Sequence, residues 1–382
     1  DKEIVDMVHD FVMKEVRPKA AEHDISGELD WDAYNKAFEM GLICADLPAE
    51  YGGQGLSNVT AAWIREELMY GDAGFGLTCG TNNLGIKPVL LAGTEEQKKW
   101  CVDILTSDRP GRDPRWPQKR SGFAAFALTE PDAGSDSAAV RTTAVRKGDS
   151  YVINGTKMFI TNASLASVFL VVATLDPSKG SKGLATFIVE KYRPGVTVGK
   201  KIEKIGMRLS NTAEVIFDNV EIPAFNLIGT EEGGFANAMK VLTASRPIIA
   251  ASSLGACQLA RDLAIQYSKE RIAFGKPICA KQMIQEKIAN MEMLIQAGRG
   301  LVYNATMLLD QGKPCNKEAS IAKCFVTEAY GKITDDALQI FGGYGLCDEY
   351  LISKLYRDSR VNRIIEGTNE IQRVVIAKSL LR

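Results

Sequence analysis

Hydrophobic positions recur every three or four residues at both ends of the chain and every two residues in the middle. Ile4, Val5, Val8, Phe11, Val12 and Val16 form one apolar stripe bounded by Pro18, which predicts an opening helix. Trp31, Tyr34, Ala37 and Phe38 predict a second helix ending around Gly41, and a third is expected from about Asn58 to Tyr70. The Gly-rich stretch from Pro48 to Gly55 lacks the spacing of a phosphate-binding fingerprint and reads as a turn. A second glycine-rich break follows Tyr70, and Leu84 to Leu91 is mostly apolar. Thr94-Glu95-Glu96-Gln97 has the form of a capping box opening a helix through Trp100 and Ile104.

From Phe123 the pattern shortens. Phe123–Leu128, Val168–Leu175, Leu184–Val189, Val196–Val198 and Glu214–Ile222 read as strands. Asn154-Gly155, between Tyr151-Val152-Ile153 and Met158-Phe159-Ile160, predicts a hairpin turn. Short connections predict an antiparallel sheet. Long helical patterns return over Phe235–Ser268, Met283–Leu309 and Ser320–Phe341, linked at Gly275-Lys276-Pro277 and Gly312-Lys313-Pro314, with a last helix from near Thr368. The expected fold is α+β: an N-terminal helical domain (1–120), a middle antiparallel, barrel-like β-domain (121–228) and a C-terminal four-helix bundle (229–382).

Composition narrows the chemistry. The 382 residues are 46% hydrophobic and 24% charged, with a net charge of -1, so no basic excess points to nucleic acid or an anionic membrane. No apolar run of membrane-spanning length stands out. The eight cysteines, at 44, 79, 101, 257, 279, 315, 324 and 347, form no C-x-x-C pair, and the two histidines are His9 and His23. No metal site is expected, and proton chemistry falls to Glu, Asp or Tyr. The residues 107–121, with three prolines and five Lys or Arg, read as an exposed basic loop. The chain begins at Asp1 rather than Met. Bacterial cytoplasm is the expected location, with the mitochondrial matrix as the other candidate.

One stretch near the end carries candidate chemistry: Arg363-Ile364-Ile365-Glu366-Gly367-Thr368-Asn369-Glu370. Two isoleucines precede a carboxylate, and a glycine follows it. An apolar flank raises a carboxylate's pKa toward the range of a general base. On local grounds alone the stronger reading of the same residue is a first-turn acid favoured by the helix dipole.

The wider set of motifs resembles the acyl-CoA dehydrogenase family, in its short- and medium-chain branch, over nearly the whole chain. The carriers are Ala127-Leu128-Thr129-Glu130-Pro131-Asp132-Ala133-Gly134-Ser135-Asp136, Lys157-Met158-Phe159-Ile160-Thr161-Asn162, Glu270-Arg271-Ile272-Ala273-Phe274-Gly275-Lys276-Pro277, Gln339-Ile340-Phe341-Gly342-Gly343-Tyr344-Gly345 and the stretch around Glu366. The resemblance implies FAD, an acyl-CoA substrate, an electron-transferring flavoprotein as acceptor, and a homo-oligomer, a tetramer built as a dimer of dimers, whose flavin sites straddle an interface. It implies oxidation of a thioester between Cα and Cβ, with Glu366 taking the α-proton and a hydride passing to the flavin N5. The Glu366 backbone N–H and a flavin ribityl hydroxyl would hold the carbonyl oxygen.

By the same resemblance, Phe126, Leu128, Thr129, Ser135, Phe159 and Thr161 serve the flavin side. Arg271, Phe274, Gln282, Gln339 and Gly343 serve the pyrophosphate and adenosine across the interface, and Thr368 and Glu370 the diphosphate. Ser135, Arg246 and Gly367 serve the substrate. Ser245 occupies a position where part of the family carries its base, and a serine cannot act there unaided, which leaves Glu366. Ile365 stands where the family often has Tyr. Phe75–Leu91 and Val241–Ala251 resemble the acyl-pocket walls, with Cys79, Thr81, Asn82 and Asn83 making them partly polar. The alternatives are an enoyl-CoA reductase running the reverse reaction and a non-catalytic flavoprotein that acts as a binding partner.

Overall fold

The structure is a computed structural model and describes residues 2–43, 45, 47–51, 53–106 and 123–381. The basic loop at 107–121 lies outside the described residues. Three short helices open the chain: α1 (Lys2–Phe11), α2 (Ala20–Ser26) and α3 (Trp31–Glu39). Pro18 does not end the helical path. It sits in a 3-10 turn, Arg17–Lys19, where its missing N–H costs nothing, and α2 follows directly. Then come α4 (Asn58–Gly71), α5 (Ala73–Ala92) and α6 (Glu95–Thr106). The expected capping box is present at α6. The Thr94 N–H donates to Gln97 Oε1 at 2.9 Å, and the Gln97 N–H donates to Thr94 Oγ1 at 3.2 Å.

The expected break after Tyr70 is a single extended residue, Asp72, rather than a glycine-rich stretch. Asp72 caps α5, accepting from the Phe75 N–H at 2.8 Å, and the helix runs unbroken for 20 residues. Its glycines serve close packing rather than a turn. A Cβ at Gly85 would sit 2.6 Å from the Ala124 carbonyl carbon, and one at Gly76 would sit 2.6 Å from Met69 Cγ. Tertiary contact here overrides the low helix propensity of glycine.

Eight strands form the middle sheet: β1 (Ala124–Ala127), β2 (Thr143–Lys147), β3 (Ser150–Thr161), β4 (Val168–Thr174), β5 (Leu184–Glu190), β6 (Val196–Val198), β7 (Thr212–Pro223) and β8 (Leu227–Ile228). They follow the order β6-β7-β3-β2-β4-β5-β8, with β1 added against β4. The sheet is mixed rather than purely antiparallel, because β1 and β2 both run parallel to β4. Asn154-Gly155 is not a hairpin turn either. Both residues lie inside β3, at a register shift against β7. A Cβ at Gly155 would fall 2.4 Å from Thr142 Oγ1, so the glycine marks a close crossing. The hairpin turn is at Gly148-Asp149, where Lys147 pairs with Ser150 and Gly148 has φ +57°.

The last third holds α7 (Gly234–Glu270), a small antiparallel ribbon of β9 (Ile272–Ala273) and β10 (Lys276–Pro277), α8 (Gln282–Asp310), α9 (Asn316–Phe341), α10 (Leu351–Asn362) and α11 (Asn369–Leu380). The long helices match the periodic segments, but the bundle has three long members, with both α10 and α11 set against α9. By length and composition α7 could cross a membrane, but most of its apolar face is buried inside the protein. It packs on α8 and α9 and equally on α4 and α5 of the N-terminal region. At Gly255 a Cβ would fall 1.8 Å from the Glu66 carbonyl oxygen, so α7 and α4 meet backbone to backbone. That crossing sets α5 beside the first half of α7 and leaves a cleft between them.

Candidate active site

The cleft is lined by Gly76, Leu77, Gly80, Thr81, Asn83, Leu84 and Lys87 of α5, by Ala244, Ser245, Ile248, Ile249 and Ser252 of α7, and by Glu366. The two expected walls are therefore the walls found. Two of the expected polar residues point elsewhere. Cys79 is buried in the core, and Asn82 donates to the Tyr34 hydroxyl and accepts from the Ala124 N–H. Ile365 packs with Leu77 against Met69, Ala73, Met207 and Ile249, at the apolar side of the same cleft.

Glu366 sits in the turn between α10 and α11. Its φ is +55°, a left-handed conformation that a residue with a Cβ rarely adopts, and Gly367 follows at +90°. Surrounding bonds hold this turn. Lys323 Nζ donates to the Gly367 carbonyl and to Asn369 Oδ1, both at 2.9 Å, and Gln372 Nε2 donates to the Gly367 carbonyl at 2.8 Å. Ser245 Oγ donates to Glu366 Oε2 at 2.6 Å. Burial pushes the Glu366 carboxyl up, while the Ser245 hydrogen bond and the charges of Lys323 and Arg246 pull it down; burial wins.

Arg246 is 4% exposed and donates to Asn316 Oδ1 at 3.1 Å and to Ser320 Oγ at 3.4 Å, while its Nε has no partner. Thr368 caps α11, accepting from the Ile371 N–H at 3.4 Å, and Glu370 lies exposed in its first turn. Local hydrogen bonds hold the Glu370 carboxyl below its usual range.

A second group gathers where β1 ends and β3 kinks. The Met158 N–H donates to the Thr129 carbonyl at 2.8 Å. Phe159 has φ +58° and is 59% exposed at a register shift of β3, so it is not a core strand residue. Thr161 pairs with Thr212 two residues on. Phe126 and Leu128 pack toward α7 against Ala238, Met239 and Leu242. Ser135 is exposed on the loop after Pro131.

This kink has an anchor that sequence reasoning left without a role. Lys157 Nζ donates to Glu130 Oε1 at 2.8 Å and to the Leu128 carbonyl at 3.0 Å, both fully or nearly buried. Glu130 also accepts from the backbone N–H groups of Arg141 and Thr142. Burial pulls the Lys157 ammonium down to about 8 despite the carboxylate beside it. Both residues stand inside quoted motifs, which was the only signal for them. Lys323, whose ammonium holds the turn at Glu366, had none.

The third group lies apart. Arg271 follows α7, with its guanidinium carbon 5.5 Å from the Tyr344 ring centre. Phe274 is 94% exposed at φ +53°, and Gln282, Gln339 and Gly343 are exposed nearby on α8 and at the end of α9. Arg246 and Arg271 are 25 positions apart in sequence along α7, or about 37 Å at 1.5 Å per residue. The histidines reach none of these groups: His9 meets Glu67 and His23 the Glu28 carbonyl.

Models of the acyl-CoA dehydrogenase N-terminal, middle and C-terminal domains match residues 1–108, 125–220 and 232–381. The chain belongs to the acyl-CoA dehydrogenase family. It is accordingly an FAD-dependent oxidoreductase. An acyl-CoA dehydrogenase of Bacillus subtilis is 42% identical over 98% of this chain and 96% of its own. The 3-(aryl)acrylate reductase of Clostridium sporogenes is also 42% identical, over 98% and 97%. Among solved structures, butyryl-CoA dehydrogenase of Megasphaera elsdenii superposes with TM-score 0.93 at 37% identity, covering 100% of this chain and 98% of that one. A chain in a structure of the electron transferring flavoprotein of Acidaminococcus fermentans superposes with TM-score 0.94 at 40% identity, covering 100% and 97%.

Proposed function

We propose that the cleft between α5 and α7 takes the acyl part of a CoA thioester and that Glu366 removes its α-proton. The observation that carries this is the placement of Glu366: a carboxylate in a left-handed turn, closing an otherwise mostly apolar cleft, with its pKa raised by burial. A raised pKa brings a carboxylate toward the range in which it exchanges protons near neutrality. Ser245 and the charges of Lys323 and Arg246 oppose burial and favour the ionised form that acts as a base. The rigid hold on Gly367 fixes where that base points.

Bound FAD supplies the acceptor for the hydride equivalent leaving Cβ. The residues present fit such a group. Phe159 offers an exposed aromatic face at a kink that the buried Lys157–Glu130 pair holds rigid, with Thr129 and Thr161 beside it. We assign Phe126, Leu128, Thr129, Phe159 and Thr161 to the flavin ring side, Thr368 and Glu370 to the diphosphate, and Ser135, Arg246 and Gly367 to the CoA side. Arg271, at the far end of α7 with Phe274, Gln282, Gln339 and Gly343 near it, lies too far from Arg246 to join the Glu366 site of the same chain through one FAD. They suit the cofactor of a second copy, which supports a homo-oligomer, a tetramer made as a dimer of dimers.

Electrons pass to an electron-transferring flavoprotein in this reading. The reductase direction has a counterpart in the arylacrylate reductase, but the dehydrogenase relatives favour oxidation. A reducing compartment, bacterial cytoplasm or mitochondrial matrix, accords with the seven free thiols among the described residues. The test is anaerobic addition of acyl-CoA thioesters to the yellow holoprotein. Bleaching of the flavin band by at least one thioester is expected. A protein that takes up no FAD, or whose flavin no thioester bleaches, overturns the reading.

A further inference from the structure

Behind the cleft lies a cation with no counter-charge among the described residues. Arg65 of α4 is 1% exposed. Its Nη2 reaches only the Ile43 carbonyl, at 3.4 Å, and its Nη1 has no partner at all. No carboxylate of a described residue forms an ion pair with it. The adjacent Glu66 is committed elsewhere, to Arg299 and Gln258. Glu366 is not its counter-ion either, since the groups that bear on that carboxylate are Ser245, Lys323 and Arg246. An ionised guanidinium withdrawn from water is strongly unfavourable unless something pairs with it.

The Arg65 side chain passes behind Gly80, one of two glycines of α5 that line the cleft. Gly80 lines the cleft, and a Cβ built on it would have only Arg65 atoms within 4 Å, Cδ and Nε at 3.9 Å. Leu77 and Leu84 flank this spot, with Gly76 one turn earlier. Gly80 therefore places no side chain of its own between the cleft and Arg65 Cδ and Nε. A planar guanidinium with donors to spare matches a carboxylate in both charge and geometry.

We infer that Arg65 receives a carboxylate at the far end of the acyl group, so that the preferred substrate is the mono-CoA thioester of a dicarboxylic acid. This rests on the reading of the cleft as the acyl site. The chemistry at Cα and Cβ is unchanged; the carboxylate is a recognition handle.

The experiment compares kcat/KM of the holoenzyme for thioesters of equal carbon number with and without the terminal carboxylate: glutaryl- against valeryl-CoA, and adipyl- against hexanoyl-CoA. One carboxylated member is expected to win by roughly 30-fold or more, the lower end of what pairing a buried charge contributes. Arg65→Met is expected to bring that ratio to about one or below, mainly through KM, and Arg65→Lys to restore part of it. Gly80→Val, which places a side chain there, is expected to lower the ratio with Arg65 intact. A wild-type ratio at or below one for both pairs overturns the inference without any variant. If no thioester of either series bleaches the flavin, the functional reading itself fails instead.

Discussion

Ser245 and Glu366 are 121 residues apart in sequence and share a hydrogen bond of 2.6 Å. The serine does not compete with the carboxylate for the role of base; it tunes it. Its hydroxyl stabilises the ionised form and opposes the effect of burial. Ser245→Ala should therefore raise the Glu366 pKa. The base works only when ionised, so the acid limb of the kcat/KM profile should move to higher pH, by roughly one to two units for a hydrogen bond to a charged group. A profile with an unmoved acid limb would show that the serine is silent.

Glu366→Gln should keep FAD and lose at least about 10³-fold in the rate of flavin bleaching, within the range ascribed to a positioned base. The same substitution has a thermodynamic signature. Because the folded pKa is raised above the unfolded one, the unfolded chain releases this proton first as pH rises, and the native state is penalised above that point. The variant should melt at a higher temperature than the wild type at pH 8. The difference should vanish below about pH 4, where the glutamate is neutral in both states. Thermal scans at the two pH values check this.

Lys157→Met would strand the Glu130 carboxylate in the core. Breaking one side of such a pair costs about 3–5 kcal/mol. The loop after β1 and the kink at Phe159 share this anchor, so flavin retention should fall together with stability. Chemical denaturation and the ratio of flavin absorbance to protein absorbance report the two effects. Lys157→Met with full flavin content would detach the pair from the cofactor.

Gly255→Ala places a methyl group against the Glu66 carbonyl, where no flexible atom can yield. Overpacking of this kind costs about 1–3 kcal/mol. The helices α4 and α7 are expected to part slightly at Glu66 and Tyr70. A denaturation midpoint equal to that of the wild type would show that the crossing has slack.

Features governed by near neighbours were legible in the sequence. Thr94 and Gln97 make their capping box within four residues, and the apolar stripe of α8 follows from its own period. Contacts across the chain misled the reading where a local signal had a distant cause. The glycines of α5 look like a break, but they exist because Ala124 and Met69 crowd that helix. Asn154-Gly155 looks like a turn, but its glycine yields space to Thr142. The parallel pairing of β1 with β4 leaves no local mark at all. At the site, Glu366 stood out only through its motif, while Lys323 and Arg65 gained meaning from neighbours 44 residues and more than a dozen residues away, Gly367 and Gly80.

The backbone contact between α4 and α7 also bears on how the chain is made. On a ribosome, α4 emerges about 160 residues before α7, its partner across that crossing. At roughly 5–20 residues per second the wait is of the order of ten to thirty seconds. During that interval the face of α4 that α7 covers, at Glu66 and Tyr70, has no permanent cover. The nascent chain must therefore be shielded by a chaperone or by provisional contacts until the thirty-seven-residue helix arrives.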